Sequence, residues 1–229
     1  MSKEIKILGA IAIVVVIGAI IGATFYNSST KNQRVTTNSN TNKPSAINSE
    51  ALVRPDSYTL GSADAPLTIV EFLDPECESC AAFNPIIKKV LKEYEGKVKL
   101  VVRYMPLHPN SLSAATFIEA AGEQGKYWEA EDLLFEKQPE WGTKHGQPPA
   151  NQGDINTLFK KYAAELGLDM DKMNSAFAEN KFASKIERDK KDGQSLGVRQ
   201  TPTVFVNGTK LARLDETALR SLIDEVLKN

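Results

Sequence analysis

Cysteine is nearly missing from this chain: 229 residues hold two, Cys77 and Cys80. Histidine is as scarce, with only His108 and His145. A zinc site cannot be assembled from one cysteine pair and two scattered histidines. Nor can the pair be a structural staple of much value. A bond between positions 77 and 80 closes almost no loop, so it removes little entropy from the unfolded chain. Excess charge is missing too. The formal net charge is −1, which leaves no basic field to attract nucleic acid. Asp154, Asp169 and Asp171 do not have the spacing of a calcium-binding loop. No metal and no separate cofactor are expected, and redox chemistry is what remains for the two cysteines.

Charge is also absent from residues 7–25, a run rich in Ile, Val, Ala and Gly that follows Lys3, Glu4 and Lys6. As a helix it reaches roughly 28 Å, near the thickness of a bilayer's hydrocarbon core. It has no polar face, unlike a helix packed on a soluble core. The apolar part of a cleaved signal peptide, the alternative, is only about 7–15 residues long. Ile21-Gly22-Ala23 would also be a poor cleavage site. The expected plan is a cytoplasmic stub (1–6), a single transmembrane anchor (7–26) and a flexible linker rich in Asn, Ser and Thr (27–52). Lys3 and Lys6 keep the short side in the cytoplasm, although Lys31 and Arg34 soften the asymmetry. The bulk of the chain is then expected outside the cytoplasm, in a periplasm or on the outer cell face, where disulfides persist.

Beyond the linker the periodicities alternate. Residues 67–73 (LTIVEFL) read as a buried strand, and Asp74-Pro75-Glu76 breaks it. Phe83, Ile86, Ile87, Val90, Leu91 and Tyr94 then recur at helical steps, with Pro85 expected to kink the helix. Residues 98–104 form a second strand. From 111 to 196 no strand signal appears, and helices are expected at 111–124, 127–135, 154–166, 170–180 and 182–196. The stretch 138–153, with Trp141 and His145, reads as an exposed loop. Residues 203–206 form a short strand, Asn207-Gly208 a hairpin turn, 210–212 the returning strand, and a last helix begins near Asp215. Strands joined through helices imply a covered central sheet. The expected architecture is α/β: a sheet domain in two parts (53–109 and 197–229) around an inserted all-helical subdomain (110–196).

Cys77 falls where a strand meets a helix. Free N–H groups and the positive end of the helix dipole favour a thiolate there, and the thiolate is the attacking species in disulfide exchange. Cys80, one turn on, can reach the same sulfur and resolve a mixed disulfide, and is expected to be the more buried. Glu71, on the strand before the motif, reads either as a buried acid able to act as a base or as a carboxylate paired with Arg103 on the next strand. His108 either lines the site or caps a loop. Glu76 and Glu78 set negative charge beside Cys77, which works to raise its pKa against the opposing helix dipole.

Residues 60–66 (LGSADAP), Ile69-Val70-Glu71-Phe72 and Cys77-Glu78-Ser79-Cys80 resemble the DsbA-like branch of the thioredoxin superfamily. Thr201-Pro202-Thr203 followed by Val206-Asn207-Gly208, and Met105-Pro106-Leu107-His108-Pro109, are similar to segments of the same family. The resemblance implies a thioredoxin fold with a helical insertion and a cis peptide at Thr201-Pro202 beside the cysteines. It implies a catalytic set of Cys77, Cys80, Pro202, Thr201 and Glu71. Substrate contacts would come from Thr201, Pro202, Glu78, Ser79 and His108. The substrates implied are thiols or disulfides of exported proteins. Strongly oxidising members carry a histidine or another non-acidic residue where this chain has Glu78-Ser79, so the direction of electron flow stays open. An oxidase would hand electrons to a quinone-linked membrane partner; a reductase or isomerase would draw them from a transmembrane donor. A binding module without turnover is the reading from another class. Nothing marks a dimerisation segment, and a monomer is expected.

Overall fold

The computed structural model describes residues 49–228 apart from 145, 148 and 150–152. The anchor expected at 7–26 and most of the linker lie outside the described residues, as does His145. Among the described residues no helix is long and apolar enough to cross a membrane. The end of the expected linker is not open chain. Ser49–Leu52 forms a helical turn, α1, with Ala51 and Leu52 buried.

The sheet is built from β1 (Thr59–Leu60), β2 (Leu67–Leu73), β3 (Val98–Tyr104), β4 (Thr203–Val206) and β5 (Thr209–Lys210), in the order β1-β3-β2-β4-β5. β2 and β3 run parallel in the register Leu67↔Val98 to Leu73↔Tyr104, and β4 is antiparallel to β2 with Glu71 opposite Val204. The crossover between β2 and β3 is α2 (Glu78–Glu93), which runs unbroken through Pro85 and buries Phe83, Ile87, Val90 and Leu91. Each such side chain taken out of water contributes about 1.5–3 kcal/mol. The returning strand β5 starts at Thr209, one residue earlier than expected. β1 is a two-residue edge too short to leave a pattern in the sequence.

Between β3 and β4 come α3 (Ser111–Gly122), α4 (Tyr127–Glu136), α5 (Gln138–Trp141), α6 (Ile155–Glu165), α7 (Met170–Ala178) and α8 (Ala183–Ser195). The final helix, α9, is Glu216–Lys228. The segment expected as an exposed loop departs from that reading. Trp141 is fully buried, edge-on to Phe159 at 5.2 Å, and its indole N–H donates to the Leu134 carbonyl at 2.9 Å. Burial of an aromatic with one polar handle needs only one partner, and the neighbouring helices supply it. The inserted block is also not wholly apart from the sheet, because α8 lies on it. Gly193 comes so close to Phe72 that a Cβ there would stand 2.9 Å from the ring.

Strand alternation sorts the sheet into two faces. Ile69 and Leu73 of β2, with Leu100, Val102 and Tyr104 of β3, join the core formed with α2, both cysteines and α4. Val70, Phe72 and Val101, with Met105, join a second core with Leu52 and Phe205. Glu71 therefore belongs to the cysteine face, and Arg103, in register with Phe72, to the other.

Candidate active site

Cys77 is the N-cap of α2, with extended backbone (φ −76°, ψ 121°), and its carbonyl accepts from the Cys80 and Ala81 N–H groups at 3.0 and 3.1 Å. A tight turn delivers it there, closed by the Cys77 N–H on the Asp74 carbonyl at 3.0 Å. Both cysteines are free thiols. Cys80 is fully buried, and its sulfur accepts from the Asp74 N–H at 3.4 Å. Cys77 keeps 8% exposure, so the burial order expected of attacking and resolving thiols is observed.

The peptide bond Thr201-Pro202 is cis. Cys77 Sγ lies 3.3 Å from the Thr201 carbonyl oxygen, a contact in which only the protonated thiol can donate. The ionised form has more support. The Cys77 thiol is pulled down to about 5, first by a hydrogen bond from the Cys80 thiol, against the opposing effect of burial. The Thr201 side chain and the Cys80 and Ser79 N–H groups add to the fall. Burial and the Cys77 sulfur push Cys80 well above the ordinary thiol value. The groups that shift Cys77 most are Cys80, Thr201 and Ser79 rather than Glu76 or Glu78. Glu76 is buried and spent on structure: it accepts from the Asn110 backbone N–H (2.6 Å), the Asn110 side-chain amide (3.0 Å) and the Thr143 N–H (2.9 Å). Glu78 and Ser79 are exposed. Glu78 instead walls an open cleft of about 690 Å³ with Gln138, Pro139, Gly142, Thr143 and Lys144.

Glu71 settles on one of its two readings. It is buried at 3% exposure, and desolvation first, then the nearby Glu131 carboxylate, push its pKa up to about 8. Arg103 is not its partner. That guanidinium sits on the opposite sheet face, 2.8 Å from Asp189 and 2.6 Å from Asp192, and donates to the Ala51 and Leu52 carbonyls.

His108 is held in the loop after β3, where its backbone N–H donates to the Ser111 hydroxyl at 3.1 Å. It is partly exposed, and its Nδ1 lies 2.7 Å from Asp74 Oδ2. Burial opposes its charge, but the Asp74 hydrogen bond and charge, with Cys77 and Glu76, raise its pKa.

Asp74 was read from the sequence only as a strand breaker. It is fully buried and accepts from the N–H groups of Glu76 (2.9 Å), Leu107 (2.7 Å) and His108 (3.2 Å), and from the Ser111 hydroxyl (2.5 Å). One carboxylate thus locks the turn before the motif to the segment after β3. Gln138 fixes the same turn from α5 by donating to the Pro75 carbonyl at 3.0 Å. An acidic pair flanking a proline directly before the cysteines was the available signal, but apart from the bond between the two its partners are 33 or more positions away. Among the described residues no group of three or more His, Cys, Asp or Glu is placed to hold a metal ion.

A sheet with a dithiol at a strand-to-helix junction, one sulfur slightly exposed and acidic, the other sealed, defines a thioredoxin-fold protein built for dithiol chemistry. The chain belongs to the thioredoxin family: the family model described as Thioredoxin matches residues 54–225. It is 33% identical over 181 residues to disulfide bond formation protein D of Bacillus subtilis, covering 74% of this chain and 76% of that protein. It is 36% identical over 162 residues to Na(+)/H(+) antiporter NhaA 3 of Salinispora tropica, covering 69% of this chain but only 23% of that protein. Among solved structures, oxidised BdbD from Bacillus subtilis matches with a TM-score of 0.65 at 28% identity, over 76% of this chain and 94% of that one. Alpha-DsbA1 of Wolbachia pipientis matches with a TM-score of 0.68 at 25% identity, over 78% and 94%.

Proposed function

We propose that the chain is an extracytoplasmic thiol–disulfide oxidoreductase that forms disulfides in exported proteins, held to a membrane by residues 7–26. The observation that carries this reading is the asymmetry of the two thiols. Cys77 is pulled down to about 5 while the buried Cys80 is pushed up. A stabilised Cys77 thiolate stabilises the reduced enzyme, and that makes the disulfide form an oxidant. The name of the Bacillus subtilis relative supports the same direction.

In the forward reaction a substrate thiolate attacks Cys77 of the enzyme disulfide. The Cys77–Cys80 bond breaks, its electron pair leaves on Cys80, and that sulfur takes a proton. A second substrate thiolate then attacks the mixed disulfide and expels Cys77 as a thiolate. The substrate dithiol is oxidised and the enzyme disulfide reduced. The polypeptide flanking the target cysteine runs along Thr201, whose carbonyl lies 3.3 Å from the Cys77 sulfur, and the cleft walled by Glu78. A membrane redox partner, the quinone-linked oxidase expected above, reoxidises the pair.

The test is trapping. Cys80→Ser should accumulate mixed disulfides between Cys77 and exported proteins, and Cys77→Ser should not. Absence of any trapped adduct, with exported proteins still acquiring their disulfides when Cys77 is replaced, would overturn the reading.

A further inference from the structure

The backbone of Asp74 touches both halves of the dithiol. The ladder of β2 ends at Leu73, whose carbonyl accepts from the Met105 N–H at 2.8 Å. The next N–H, that of Asp74, lies past the ladder in a fully buried residue, where an unpaired donor is costly. Its partner is Cys80 Sγ at 3.4 Å, and among the described residues it is the one backbone N–H that donates to that sulfur. The Asp74 carbonyl in turn accepts from the Cys77 N–H at 3.0 Å.

The side chain of the same residue is gripped on both oxygens. Oδ1 accepts from the Glu76 N–H (2.9 Å) and the Ser111 hydroxyl (2.5 Å). Oδ2 accepts from the Leu107 and His108 N–H groups (2.7 and 3.2 Å) and meets His108 Nδ1 at 2.7 Å. Closing the turn does not require this many contacts. The bond from the Cys77 N–H closes it, and Glu76 and Gln138 tie it to α5 and its flanks independently. What the five contacts add is a fixed direction for the N–H on the same Cα.

We propose that the Asp74 N–H is the donor that receives the charge on Cys80 during exchange, and that the Asp74 carboxylate is the positioning group that aims it. The inference rests on the exchange reaction proposed above. When a substrate thiolate attacks Cys77, the Cys77–Cys80 bond breaks and its electron pair goes to Cys80 Sγ. That sulfur is sealed, so stabilisation has to come from a donor already in place. A charge-assisted N–H bond holds a thiolate more strongly than the neutral sulfur of a disulfide. It therefore favours opening of the enzyme disulfide, and in reverse it favours the attacking Cys80 thiolate of the resolving step. Asp74 carries no proton in either direction. Burial first, and then the Cys77 sulfur, push the Cys80 thiol up, and the Asp74 N–H pulls against them. The other ionisable groups here are Glu71, on the sulfur side, and Glu76 and His108, next to Asp74.

The experiment uses the reduced full chain and glutathione disulfide, quenched with acid and read by mass spectrometry. Formation of the mixed disulfide on Cys77 is followed separately from its resolution by Cys80, across pH. Asp74→Asn leaves one acceptor oxygen where there were two, so half of the grip opens. Resolution should slow on the order of tenfold, below the ~10²–10³-fold cost of deleting an oxyanion donor outright. Formation should slow far less. The sign of the pH shift is the sharper readout. Removing a nearby anion would by itself move the midpoint of the resolution profile down, whereas a misaimed donor moves it up. The midpoint should move up. Ser111→Ala keeps the charge and removes one contact, and should give a smaller loss and shift of the same sign. It decides the matter by those signs if Asp74→Asn does not fold. A midpoint that stays or moves down, resolution at full rate, or equal slowing of formation and resolution would each overturn the proposal. If the unaltered chain forms no mixed disulfide at all, the exchange reading itself fails instead.

Discussion

Two clusters of buried charge lie on opposite faces of the same sheet, and they are built to different ends. On one face Arg103, wholly buried, meets Asp189 at 2.8 Å and Asp192 at 2.6 Å and donates to two carbonyls. Arg54 reinforces Asp192 at 2.9 Å, and the pairing holds that carboxyl below its usual range. On the other face Glu71 and Glu131 share only the long contact of Glu131 to Lys88, and both acids are pushed up. Matched charges lock α8 and α1 to the sheet. On the cysteine face burial with little pairing pushes both carboxyl groups up instead. The difference teaches that compensation, not burial, separates the structural cluster from the chemical one.

The largest effect expected is on activity. Cys77→Ser should reduce thiol–disulfide exchange with a dithiol peptide to the uncatalysed rate while leaving the fold intact by circular dichroism. On the compensated face, Arg103→Met should remove the shortest partner of the buried Asp189 carboxylate, leaving Lys185 and Arg188 at 3.9 and 3.8 Å, and cost about 3–5 kcal/mol in chemical denaturation. The uncompensated face should show the opposite behaviour. Glu71 binds its proton more tightly folded, at about 8, than its ordinary 4.5. The native state therefore holds more protons between those values, and stability falls as pH rises through that window. Glu71→Gln should flatten the slope and raise stability at pH 8 by on the order of a few kcal/mol, measured by denaturation across pH. Glu131 is coupled to it, so the remaining slope should belong to the pair.

A smaller effect should be seen at the sulfurs. Alkylation of Cys77 should rise with pH around about 5 and then level off. Cys80→Ala removes the largest support of that thiolate, so the midpoint should move up. Smallest of all, Lys126→Ala breaks the exposed pair with Glu129 at 3.1 Å and should change stability by less than about 0.5 kcal/mol.

Much of this contrast could be read from the sequence, but not its chemical half. The apolar runs of β2, β3 and β4 and the helical spacing after Cys77 place the dithiol at a strand end, because those signals are local. The same alternation puts Glu71 and Arg103 on opposite faces once the register is known, yet both stood open as partners before it was. Asp74, Glu76 and Trp141 escaped because their roles come from contacts across 31 to 67 positions, or from burial by helices that periodicity cannot orient. Glu131 escaped for a related reason. A Glu in an acidic helix segment looks solvated, and only packing against α2 makes it unusual. The effect of the acidic filling Glu78-Ser79 could not be weighed from spacing alone. The expectation weighed charge by distance along the chain, whereas Glu76 is fully hydrogen-bonded and Glu78 faces solvent.

The most direct measurement is the reduction potential of the Cys77–Cys80 pair in the full chain, equilibrated against glutathione buffers. The stabilised Cys77 thiolate predicts an oxidising value, less negative than about −180 mV. A value near about −270 mV, typical of thiol reductants, would contradict the assignment of this chain as an oxidase.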